Sequence, residues 1–159
     1  DPDFFALRDR DPDYARSILA IGRGGKKPRK DYGLWSEVKA FIGFFYDELF
    51  TREDEIPQSF DRADVKAALA AFADTLDYAD DSNAWFEKIK KIASDLGYAT
   101  DMRQYKADPA AFRGSVADVS MFIRVAVTGR MNSPDLYTVI HIIGMERTVQ
   151  RVRELAASL

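Results

Sequence analysis

A chain of 159 residues, 47% apolar and 31% charged, has enough apolar material to build a core and is not the composition of a disordered segment. It has no cysteine, which excludes disulfides, thiolate metal sites and cysteine nucleophiles and fits a reducing, cytoplasmic setting. A net charge of −3 disfavours indiscriminate nucleic-acid binding, and the longest apolar runs, such as 41–46, fall far short of a membrane span. The first residue is Asp rather than Met and no signal peptide is visible, so the expectation is a piece of a larger protein with further functions upstream of Asp1.

The expected fold class is all-α. Asp11-Pro12 reads as an N-cap followed by proline at the first helical position, opening a short helix through Tyr14, Ile18 and Leu19 that stops at Gly22. Gly24, Gly25 and Pro28 make a loop. From Arg23 to Lys39 six cations (Arg23, Lys26, Lys27, Arg29, Lys30 and Lys39) meet only Asp31 and Glu37. A second helix is expected from near Asp31, because Leu34, Val38, Phe41, Phe45 and Leu49 recur at helical spacing. The polar stretch 51–59 contains Pro57 and reads as a linker between two small helical subdomains, 1–56 and 57–159.

Beyond the linker, Asp61 caps a predicted helix through Val65, Leu69, Phe72 and Leu76. After a polar break at 80–83, another carries Trp85, Ile89, Ile92 and Leu96, with Gly97 ending it. A longer connection follows, with an Asp-Pro start at Asp108-Pro109. Ser115 and Asp118 have the spacing of a capping box for a helix through Val119, Phe122 and Val127 that ends at Gly129. Ser133-Pro134 reads as the cap of a helix through Leu136, Val139, Ile140 and Ile143, closed by Gly144, and a last helix runs from Glu146 to Leu155.

No catalytic set emerges. The single histidine, His141, lies in an apolar run with no second histidine or cysteine, and reads as a core or partly buried residue. The carboxylates gather in Glu53-Asp54-Glu55 and at Asp77, Asp80 and Asp81, where a solvated role is the default. Gly22-x-Gly24-Gly25 lacks the strand and the spacing of a phosphate-binding fingerprint.

One run is more specific: Arg124-x-Ala126-x-Thr128-Gly129, Ser133-Pro134-Asp135-Leu136, and Ile143-Gly144-Met145-Glu146-Arg147 before a basic last helix. Together with Lys27-Pro28-Arg29-Lys30-Asp31 and Trp35-Ser36-Glu37-Val38 upstream, it resembles the closing pattern of bacterial glutamyl-tRNA synthetases. The resemblance implies a helical anticodon-binding region that grips tRNA(Glu), or also tRNA(Gln), and has no DNA or membrane partner. It also implies that ATP and Mg²⁺ belong to a catalytic domain absent from this chain, which itself holds neither cofactor. Shorter family members lack a stretch like 102–113, for which no role is assigned.

By the same resemblance Arg29 faces the third anticodon base, where a guanidinium donates to cytosine O2 and N3; otherwise it is a surface arginine. Arg124 sits on an apolar helix and needs either a carboxylate or RNA to satisfy its charge. Ser133, Pro134, Asp135 and Leu136 offer a helix start as a cradle for a base or phosphate, or simply cap that helix. Lys26, Lys27, Lys30 and Arg130 supply sequence-independent attraction to phosphates. The alternatives are the similar helical region of a class I lysyl-tRNA synthetase and a helical protein-interaction domain with no RNA role.

Overall fold

The computed structural model describes residues 2–24, 26–28 and 35–159. Arg29, Lys30 and the helix start near Asp31 lie outside the described residues, as does the side chain of Trp35. The described residues form α-helices α1 (Pro2–Arg10), α2 (Pro12–Ala20), α3 (Trp35–Ile42), α4 (Arg62–Thr75), α5 (Ser82–Asp95), α6 (Met102–Ala107), α7 (Val116–Thr128), α8 (Leu136–Ile143) and α9 (Met145–Ser158). The only β-pairing among them is one isolated bridge between Ala99 and Ser115.

The helices start where short side chains accept backbone N–H groups. Asp11 accepts from Tyr14, Asp61 from Ala63, and Asp81 from Asn83 and Ala84. Ser115 and Asp118 close the capping box of α7, and α7 stops at Gly129 with φ 71°, the left-handed conformation glycine adopts most readily.

Helices α4, α5, α7 and α9 pack on one another, with α7 at the centre. Val119, Phe122, Ile123, Val125, Ala126 and Val127 of α7 are all buried, so this helix is apolar nearly all round. Ile18, Val38, Ile42 and Phe45 from the first segment enter the same buried cluster as Leu69, Ile89 and Val152.

Three local expectations need correction. The helix expected to run to Leu49 ends at Ile42, and two 3₁₀ turns follow, Gly43–Phe45 and Asp47–Leu49. Phe44, Phe45 and Tyr46 are all buried, and the chain tightens into 3₁₀ turns from Gly43. The cap of α8 is Asp135, not Ser133: the Asp135 carboxylate accepts from Thr138 N at 2.9 Å, while the Ser133 hydroxyl donates to Pro134 O. A charged acceptor next to the first turn outcompetes a hydroxyl set two residues back. Two helices were not anticipated, α1 and the short α6 within the 98–114 connection.

Candidate nucleic-acid interface

The residues singled out by sequence fall on two parts of the molecule. Lys26 and Lys27 are exposed in the loop after α2. Arg124, Arg130 and 133–136 surround the C-terminal end of α7 and the start of α8. Thr128 ties this second group together, its buried hydroxyl donating to the carbonyls of Arg124 and Arg130. Arg124 is half-buried on α7. Ser133, Pro134 and Leu136 are buried and Asp135 is exposed. The first turn of α8 therefore already carries its own carboxylate, and the expected open cradle of N–H groups is partly filled by Asp135 and its bond to Thr138.

The linker is not a free tether. Glu53 N and Asp54 N both donate to Gly129 O, at 3.0 and 2.9 Å. The Asp54 carboxylate accepts from Met131 N, and Glu53 Oε1 accepts from the Arg130 guanidinium, each at 2.6 Å. Fit is close enough that a Cβ on Gly129 would lie 2.1 Å from Thr51 O. The acidic residues that read as solvated thus fasten 51–54 to the end of α7.

This junction borders a cleft of about 320 Å³ lined by Lys39, Ala40, Gly43, Phe44, Leu49, Thr51, Glu53 and Arg130. Lys39 comes from the cationic stretch and Arg130 from the end of α7, so the fold joins two regions far apart in sequence. Sequence reasoning missed Thr51 and Glu53 as members of this site. The only signal of Glu53 was acidity within a linker, and its pairing with Arg130 spans 77 positions.

Two arginines of α9, Arg147 and Arg151, face inward, while Arg153 is exposed. Arg147 donates to Ile143 O, Phe45 O and the Tyr14 hydroxyl. Arg151 donates to Phe44 O, Val127 O and Asp47, and its guanidinium carbon lies 3.8 Å from the Phe50 ring centre. Burial pushes the Arg151 pKa down while Asp47 raises it. Both arginines thereby satisfy carbonyls left open at helix ends, Arg147 at α8 and Arg151 at α7. His141 packs against Tyr78, with rings stacked at 4.6 Å, and against Tyr137. Among the described residues no three His, Asp or Glu side chains are grouped to hold a metal ion, and no helix is long and apolar enough to cross a membrane.

The family described as the anticodon binding domain matches residues 111–156. Over 154 residues the chain is 44% identical to the glutamate–tRNA ligase of Sorangium cellulosum, which covers 96% of this chain and 27% of the relative. The ligase of Acetivibrio thermocellus is 40% identical over 149 residues (94% and 27%), and that of Clostridium perfringens strain SM101 is 37% identical over 146 (89% and 26%). The chain spans about a quarter of the length of these relatives. Residues 111–156 therefore match the anticodon-binding-domain family, and nearly the whole chain is similar to about a quarter of the length of each of these glutamate–tRNA ligases.

Proposed function

We propose that this chain holds the anticodon arm of tRNA(Glu), so that a catalytic part outside these 159 residues, using ATP and Mg²⁺ in the cytoplasm, can charge the 3′ end with glutamate. The observation that carries the reading is that Lys39, from the cationic stretch, and Arg130, from the stretch matched to the anticodon-binding family, line one cleft. Anticodon bases are single-stranded and can be splayed out, and proteins read such bases with arginines and hydrogen-bonding groups at a concave surface. In this reading Arg29 meets the third anticodon base, and Arg124 with 133–136 meets a neighbouring nucleotide. Lys26, Lys27 and Lys30 attract phosphates regardless of sequence. Arg130, held by Glu53, belongs to the cleft rather than to the phosphate track.

The test is salt-dependent binding of a tRNA(Glu) anticodon stem-loop and of one changed at the third anticodon base. The chain is expected to prefer the first. Arg29→Ala is expected to abolish that preference, while Lys27→Ala weakens both RNAs alike and lowers the slope of log K against log salt by about one. Equal affinity of the unaltered chain for the two RNAs would remove the anticodon from the reading.

A further inference from the structure

We infer that the cleft between Lys39 and Arg130 is the seat of one unstacked nucleobase bearing both an N–H and a carbonyl oxygen, read by Glu53 and Arg130; this rests on the anticodon-arm reading above. The lining of the cleft joins the apolar residues Ala40, Gly43, Phe44 and Leu49 to the polar residues Lys39, Thr51, Glu53 and Arg130. An apolar surface with hydrogen-bonding groups beside it suits a planar heterocycle. At about 320 Å³ the cleft is at the small end of ligand pockets and has room for a single ring system with water.

The charges at the rim decide between a base and a phosphate. Arg130 is already paired with Glu53 at 2.6 Å, so a phosphate arriving at the arginine would face a carboxylate. A phosphate diester also brings only acceptors, whereas Glu53 is itself an acceptor. Among the described residues, both side-chain contacts of Glu53 fall on Oε1: the Arg130 guanidinium at 2.6 Å and the Thr51 hydroxyl at 3.5 Å. Oε2 is left for an incoming N–H donor. The Arg130 guanidinium bonds Glu53 through a single nitrogen, which leaves its other N–H groups to meet a carbonyl oxygen.

A base with an N–H and a carbonyl on its hydrogen-bonding edge answers both demands. Cytosine, uracil and guanine qualify, while adenine has no carbonyl and does not. Glu53 is thus a specificity-determining residue, with a role beyond fastening the linker.

The test uses the 159-residue chain with anticodon stem-loops in which each anticodon position is replaced in turn by an abasic site or by adenine. For the unaltered chain, one position is expected to lose about 10-fold in affinity when abasic, and as much when it is adenine. Two variants probe the seat from different sides. Glu53→Gln removes the anionic acceptor, and Ala40→Leu adds bulk to the apolar lining without changing either partner of the ion pair; melting by circular dichroism checks that each remains folded. Both are expected to shrink the abasic penalty below about twofold at that position alone. If both variants weakened intact and abasic RNAs by the same factor, the seat would be overturned and Glu53 would be only a structural latch. If adenine were accepted as well as the original base at every position, the seat would be overturned too. If the unaltered chain bound the intact stem-loop no better than an unrelated one of equal length, both the seat and the anticodon-arm reading would fall.

Discussion

The guanidinium of Arg151 is surrounded by protein, and its contacts differ in kind. Two are buried backbone carbonyls, Phe44 O and Val127 O, and the third is Asp47, whose side chain is 61% exposed. A buried acceptor left without a donor costs about 1–3 kcal/mol, whereas an ion pair open to water contributes about 1 kcal/mol or less. Arg151→Met keeps the apolar stem and orphans both carbonyls, so it should destabilise the chain by roughly 3 kcal/mol. Asp47→Asn should cost under about 1 kcal/mol in the same urea titration. Equal losses would make the ion pair, rather than the carbonyls, the reason this arginine is buried. At this scale the sequence was legible where partners are neighbours. Asp61, Asp81 and the Ser115–Asp118 box could be read because each cap reaches only two or three residues along. Ser133 and Asp135 are both residues of the capping type within one turn, and the one next to the first turn of α8 caps it. Arg147 and Arg151 could be placed in a basic helix, yet two of their acceptors, Phe45 O and Phe44 O, lie about a hundred positions away, beyond any local pattern.

At the scale of elements, the join between the linker and α7 depends on a helix end with no side chain. Gly97 and Gly129 both end helices with positive φ, 78° and 71°. A Cβ on Gly97 would meet nothing nearer than 3.8 Å, but on Gly129 it would lie 2.1 Å from Thr51 O and 2.9 Å from Arg52 Cα. Gly97→Ala should therefore cost only the left-handed strain, about 1 kcal/mol. Gly129→Ala should cost about 3 kcal/mol or more, since the linker must also move. Thermal unfolding of the two variants checks this, and similar losses would mean that the linker yields freely. Helix periodicity gave α2, α4, α5, α7, α8 and α9 from sequence, because each buries one stripe or, for α7, nearly its whole surface. It overran α3, because the aromatic run 44–46 is apolar at every position and so carries no period. It missed α6, whose residues are almost all exposed and leave no apolar stripe to see.

For the whole molecule, the buried cluster shared by most of the described helices makes tyrosine ionisation a test of global packing. Tyr98 is buried against Phe122 in an edge-on contact, and burial, with Asp64 and Asp118 nearby, pushes its pKa up to about 12. Burial also raises the pKa values of Tyr14, Tyr46 and Tyr78. A phenol whose folded pKa exceeds its unfolded value stabilises the fold fully below about pH 10 and loses that contribution as pH rises toward 12. Stability should thus fall between pH 10 and 12, and Tyr98→Phe should remove up to about 2 kcal/mol of that fall relative to its own value at pH 8. An unchanged alkaline slope in Tyr98→Phe would show that the phenol ionises without cost in the folded protein. The clasp made by Arg151 also bears on the order of events during synthesis. A ribosome releases the chain in sequence, yet the carbonyl of Phe44 finds its arginine only 107 positions later. Until that helix emerges, the buried carbonyl of Phe44 lacks its arginine donor. The early segment therefore waits on the late one, and the two complete their folding together.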